Sequence, residues 1–396
     1  MTDRRDNPLP YGRQWIEQAD IDAVTEVLAD PWITQGPRVD AFEGAVAAWC
    51  GVKHGVAVSS GTAALHSACM AAGLGEGDSV VVPTMTFAAT AAAARLTGAE
   101  IQLADIDPET LCLSADSADA ACDGTTRALL PVDFAGRPCA WTQLRSLAGA
   151  KGLITIADAA HALGAMYSGA KVGALADMTC FSFHPVKAIT TAEGGMTVTV
   201  NDEYADALRR ARNHGIVRER ERFESPGGDA ESDGDWYYEI QSVGLNYRIT
   251  DIQCALGLSQ LGRLEAFIRR RTELAEIYSL AFAGNELLAT PQHGGGDKTS
   301  AWHIYPIRLN LDGLSWSRAE VFAALRDKGL GVQVHYIPLH RQPYYRNRYG
   351  LSPADFPHAE AYYRSAISLP LFPAMTDRDA EDVVDLVTDV LAEARR

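Results

Sequence analysis

The chain has 396 residues, 47% hydrophobic and 22% charged, with 34 glycines and a net charge of −16. Its length exceeds one ordinary core and predicts two domains of a globular protein. The negative field excludes a broad nucleic-acid face but leaves room for a small anion in a locally positive pocket.

The opening MTDRRDNPLPYGRQ reads as a proline-bearing arm without the apolar segment of a secretory signal. Ile16, Ile21, Val24, Val27 and Leu28 then recur at helical spacing. From residue 55, short apolar runs alternate with small-residue helical stretches. The strand candidates are 55–58, 79–82, 100–103, 127–132, 153–157, 179–183 and 196–200. This alternation predicts a seven-stranded, mostly parallel α/β sheet covered on both faces. Residues 201–213 read as a helix, Arg218 to Asp235 as a charged loop, and a long helix is expected from Thr250 past Leu264. A smaller C-terminal α/β unit follows, with strands at 302–309 and 331–336 and a closing helix over 376–393. The expected division is an arm over 1–20, a large domain over 21–250 and a small domain over 251–396. No apolar run reaches about 18 residues, so no membrane span is expected. Seven scattered cysteines without a C-x-x-C pair fit reduced core residues of a cytoplasmic protein better than a disulfide framework or a zinc site.

In open α/β sheets ligands sit beyond the carboxyl ends of the strands, and three such ends carry chemistry. VAVSSGTAAL passes from a strand into a helix, so the backbone at Ser60, Gly61, Thr62 and Ala63 either holds a phosphate or forms an ordinary cap. Asp158 follows the strand ITIA, where a carboxylate is expensive to bury without a partner, and His161 lies three residues on. That pair reads as a ring-nitrogen partner with its neighbour, as metal ligands or an acid–base pair, or as a cap with a packed histidine. Lys187, in FSFHPVKAITTAEGG, reads alone as a solvated lysine, a phosphate ligand or an imine-forming nucleophile. Taken together, a phosphate cradle, a strand-end aspartate and a strand-end lysine match the needs of pyridoxal 5′-phosphate. Ser182 can add a hydroxyl to the phosphate site. The run RERERFES reads as a solvated loop, though Arg218 or Arg220 could reach a nucleotide phosphate. Trp236, Tyr237 and Tyr238 read as packing or dimer contacts, His184 as a residue ordering the lysine loop, and RQPYYRNRYG as a surface turn.

SSGTAAL, DAAHALGA, FSFHPVKAITTAEGG, NYRITDIQCALGLSQL, TQGP and VHYIPLH together resemble the signatures of the DegT/DnrJ/EryC1/StrS family of sugar aminotransferases. Within that family, YGRQ, the lysine stretch and WYYEIQ…LNYRITDIQCALG are most similar to the branch serving pseudaminic acid biosynthesis. That branch aminates the C4 ketone of a UDP-linked 4-keto-6-deoxy-N-acetyl-hexose with glutamate as donor. The resemblance implies an aspartate-aminotransferase-like (fold type I) enzyme with Lys187 as the Schiff-base lysine and Asp158 as the pyridinium partner. It implies phosphate contacts from Gly61, Thr62, Ala63 and Ser182, ring stacking by Phe87, and His161 near the cofactor's 3′-oxygen. Asn246 would reach the phosphate of the neighbouring subunit, giving a homodimer with shared sites. Tyr11, His335 and Tyr336 would line the nucleotide-sugar pocket, and no metal is implied. A branch that replaces the lysine by histidine performs dehydration; this chain keeps Lys187, which favours transamination over that reaction. The retained Lys187 and Asp158 also weigh against a non-enzymatic regulator on the same fold.

Overall fold

A computed structural model describes residues 7–224, 234–292 and 298–396. Each of the seven strand candidates forms, as His54–Val58 (β1), Ser79–Pro83 (β2), Glu100–Ala104 (β3), Thr126–Leu129 (β4), Ile154–Asp158 (β5), Met178–Ser182 (β6) and Gly195–Thr199 (β7). Successive residues of a strand face opposite sides, and here both sides are apolar. Val80 and Val82 join one core cluster, with Val56, Ile156, Met178 and the alanines of helices Gly61–Ala71 and Ala88–Thr97. Val81 joins the other, with Ala57, Leu129, Ala157, Phe181 and Trp141. Those alanines are small enough to bring the helix backbones close to the sheet.

The strand order is β1-β7-β6-β5-β4-β2-β3. β7 pairs antiparallel with both β1 and β6, and the other pairings are parallel. Two reversals restore the direction, so β1, β5 and β6 all present their carboxyl ends at one edge. Gly195 is the pivot of that edge, facing Val58 on one side and Ser182 on the other. A Cβ there would lie 2.3 Å from the Ser60 carbonyl oxygen and 2.8 Å from the Gly61 nitrogen. The need for glycine is close backbone approach rather than an unusual φ.

A second core gathers helices Leu264–Ala281, Arg318–Asp327 and Asp377–Glu393 on an antiparallel sheet of Leu288–Ala289, Tyr305–Leu309 and Ala366–Leu369. Three expectations are corrected here. Residues 331–336 form no strand: Gly331 donates to the Leu9 carbonyl (2.7 Å), Val332 to Leu330 (2.9 Å), and only Gln333 bridges to Ser368. The N-terminal arm takes hydrogen bonds that a ladder would need. The helix from Thr250 breaks into Asp251–Leu261 and Leu264–Ala281, because Gly262 is a weak helix former and Arg263 leaves helical geometry to pair with Asp20 and Glu17. RQPYYRNRYG contains a helix, Pro343–Tyr349, rather than a simple turn, with Arg348 paired to Glu100. The loop expected over Arg218–Asp235 lies partly outside the described residues.

Gly195→Ala should destabilise the protein by about 1–3 kcal/mol, since the added carbon meets backbone that cannot rotate away. Chemical denaturation should show a lower midpoint, and a melting curve a lower Tm.

Candidate active site

Strand β5 delivers Asp158 into a largely enclosed position, 6% exposed. Thr90, from helix Ala88–Thr97, donates to Oδ2 at 2.6 Å, and the Ala160 amide donates to Oδ1 at 3.1 Å. Thr86 lies 2.7 Å from the Thr90 hydroxyl and extends the chain of bonds. Burial pushes the Asp158 carboxyl above its usual range, and these two bonds with the charge of Lys187 oppose that rise. The carboxylate is therefore fixed in direction but short of positive charge.

Lys187 lines the same cavity, of about 300 Å³, together with Tyr11, Ser60, Gly61, Thr62, Phe87, Asp158, His161, Ser182, His335 and Tyr336. Enclosure draws the Lys187 amine down to about 8, with Arg271 adding to the fall and Asp158 resisting it. Three histidines around it stay neutral. Burial pushes His161 and His303 well below the ordinary imidazole range, and His335 down to about 4. Nδ1 of His161 accepts from the Ala135 amide at 3.3 Å, so its proton belongs on Nε2, which faces the Tyr336 hydroxyl at 3.0 Å. The phenol proton of Tyr336 is thereby left for a ligand. His335 is held by the Ser368 hydroxyl at 2.9 Å. The N-terminal arm brings Tyr11 in, its carbonyl accepting from the Leu371 amide at 3.0 Å.

Comparison with known proteins matches residues 14–388 to the model of the DegT/DnrJ/EryC1/StrS aminotransferase family. The chain belongs to this family. It is 40% identical over 396 residues, all of both chains, to the spore coat polysaccharide biosynthesis protein SpsC of Bacillus subtilis. It superposes on Helicobacter pylori PseC, an aminotransferase of pseudaminic acid biosynthesis, with a TM-score of 0.89 and 28% identity, covering 98% of this chain and 100% of PseC. The PLP form of Spr1654 from Streptococcus pneumoniae, described as a sugar aminotransferase, matches with a TM-score of 0.89 and 28% identity, over 98% and 99% of the two chains. The protein is thus a sugar aminotransferase of fold type I that uses pyridoxal 5′-phosphate.

The cavity fits that cofactor. A Cβ on Gly61 would lie 2.7 Å from Ser182 Cβ and 3.0 Å from its hydroxyl, so glycine lets the helix N-terminus and Ser182 close into one cradle. The cradle suits a phosphate, and the desolvated Asp158 carboxylate suits a protonated ring nitrogen. Ala63 does not line the cavity; its amide is taken by the Ser60 hydroxyl at 3.1 Å, the cap that the sequence also allowed. Asn246 is exposed and outside the cavity of its own chain, bridged to Asn213. Phe87 lines the cavity while 58% exposed, its ring 5.8 Å from Tyr336. His184 and Glu193 line it too, whereas Arg218 and Arg220 do not; Arg218 lies over the Tyr238 ring. Tyr237 packs on Phe223, and Trp236 is 73% exposed.

Thr90 and His303 are functional neighbours that sequence reading missed. His303 stacks on His161 with centroids 4.1 Å apart, from a segment 142 residues away in the chain. Thr90, one turn after Phe87 in TFAAT, carried a weak signal, since a hydroxyl on an alanine-rich helix needs a partner.

The depressed Lys187 amine carries a stability consequence. Below about pH 8 the folded protein without cofactor must hold a buried ammonium, which the unfolded chain solvates freely. Between about 8 and the ordinary lysine value the unfolded chain binds the extra proton, so stability rises with pH across that window. Lys187→Met should therefore raise the Tm of the cofactor-free protein at pH 7, and the gain should shrink as the pH approaches 10.

Proposed function

We propose that the protein moves an amino group from L-glutamate to the C4 ketone of a nucleotide-linked 4-keto-6-deoxy sugar, of the UDP-linked N-acetyl-hexose type used for pseudaminic acid. The observation that carries the reaction class is Lys187, enclosed with Asp158 in one cavity and drawn towards its neutral form. The likeness to PseC over nearly the whole chain supports the sugar. The relative SpsC favours a second reading, in which the product is another amino sugar for a surface polysaccharide.

When bound, the cofactor supplies an aldehyde and a ring that withdraws electrons from the reacting carbon. The remaining tasks fall to this chain. Gly61, Thr62 and Ser182 grip the phosphate and Asp158 keeps the ring nitrogen protonated. Phe87 covers the ring. Lys187, as a neutral amine, takes and returns the proton that shifts during transfer. Tyr336 offers its hydroxyl proton to the ligand, and Tyr11 with His335 borders the sugar. Two half-reactions on one site give ping-pong kinetics.

The site is completed in a cytoplasmic homodimer, where Asn246 of one subunit reaches the phosphate of the other. The position of Asn246 outside its own cavity supports this, as do seven unpaired cysteines suited to a reducing compartment.

The purified protein should show an absorbance band at about 400–430 nm that is lost in Lys187→Ala. It should convert a UDP-linked 4-keto-6-deoxy-N-acetyl-hexose in the presence of glutamate. Conversion of only dTDP- or GDP-linked sugars would displace the pseudaminic reading and leave the family untouched; a colourless wild type supplied with cofactor would contradict the assigned lysine. A mixture of Lys187→Ala and Asn246→Ala chains should regain up to about a quarter of wild-type activity through hybrid dimers, neither variant being active alone. Absence of any recovery would argue against shared sites.

A further inference from the structure

Arg271, on helix Leu264–Ala281, is 1% exposed. Among the described residues no carboxylate pairs with it, and its guanidinium donates to backbone carbonyls alone. Nη1 donates to the carbonyls of Trp302 (3.1 Å), His303 (3.2 Å) and Leu371 (2.8 Å), and Nη2 to that of Val186 (3.4 Å). Nε has no partner. Burial pulls the group down to about 10, so it remains a cation at neutral pH.

These carbonyls come from three separate segments; two of them line the cavity, and the third holds a lining residue, Tyr11. Val186 directly precedes Lys187. His303 lies in the cavity wall with its ring stacked on His161. Leu371 donates its amide to the carbonyl of Tyr11. A guanidinium fork suits several carbonyls at once, which an ammonium on a flexible stem does not. A buried charge without a counter-ion is costly, and an apolar side chain would fill such a site more cheaply if packing were its only task.

We propose that Arg271 is a positioning residue for transamination: its uncompensated charge disfavours a second cation at Lys187, and its fork holds the lysine loop against the cavity. The groups facing Lys187 are few in kind. Asp158 favours the ammonium and Arg271 opposes it. His161, His303 and His335 face it as neutral rings, Tyr11 and Tyr336 as neutral phenols, and His184 and Glu193 border the cavity from the lysine loop. Arg271 is thus the fixed positive charge acting on the amine among the described residues.

The inference rests on Lys187 being the reactive amine, and its test reads the amine without turnover. In the full-length protein freed of cofactor, the pH dependence of acetylation at Lys187, followed by mass spectrometry, gives the midpoint of its deprotonation. Arg271→Gln should raise that midpoint by about half a pH unit or more, roughly a three-fold change in proton affinity. Arg271→Lys keeps the charge and should leave the midpoint within about 0.2 unit. In the holoenzyme, the same lysine variant should exchange amide hydrogens over residues 184–191 several-fold faster than wild type, with the sheet strands unchanged. An unchanged midpoint in a folded Arg271→Gln overturns the electrostatic role, as does a raised midpoint in Arg271→Lys. Unchanged exchange in Arg271→Lys overturns the positioning role, and that arm stands if Arg271→Gln does not fold. None of these results bears on whether Lys187→Ala loses the visible band, so the assignment of the lysine is tested separately.

Discussion

A carboxylate and an amine share one desolvated cavity at the edge of a parallel sheet, and the surrounding structure is arranged around that pair. Neither Asp158 nor Lys187 is comfortable there by itself. Burial pushes the first towards its neutral acid and the second towards its neutral amine. The Thr90 hydroxyl and the Ala160 amide hold the aspartate as an acceptor. A protonated ring nitrogen would complete its needs and leave the lysine to work as a base. The chemistry of the site is therefore a consequence of where two strands end.

The backbone makes that arrangement possible through close approach. β7 inserts antiparallel between β1 and β6, and its first residue is a glycine because the Ser60 carbonyl leaves no room for a side chain. Gly61 is required in turn by Ser182. Two glycines thus bring a helix N-terminus and the Ser182 hydroxyl close together. On the other side of the cavity, neutral histidines and buried phenols supply hydrogen-bond direction without charge. Arg271 joins that wall to the lysine loop through carbonyls alone.

The family likeness extends over nearly the whole chain, yet the relatives carry different pathway names. That is expected when cofactor contacts sit on strand ends and sugar contacts sit on an arm and loops. The first are fixed by sheet register; the second can change without disturbing it.

All seven strands of the main sheet were legible as apolar runs, because a sheet covered on both faces favours hydrophobic residues on both sides of each strand. Asp158 was legible because a polar group directly beyond such a run stands out; Lys187, four residues past Phe183, gained its meaning only beside Asp158 and the Ser60–Ala63 turn. Residues 331–336 misled for the same reason: they alternate like a strand, and only the folded chain shows the arm at Leu9 taking their hydrogen bonds. The break at Gly262–Arg263 was hidden because it depends on Asp20, more than 240 positions earlier. Thr90 carried only a weak signal, and His303 and Arg271 were beyond local reading altogether. By itself the sequence determined the sheet and the strand-end positions of Ser60 to Thr62, Asp158 and Lys187, since these follow from local pattern. The tertiary structure alone decided which distant threonine, histidine and arginine hold them, because those contacts join segments that no local spacing relates.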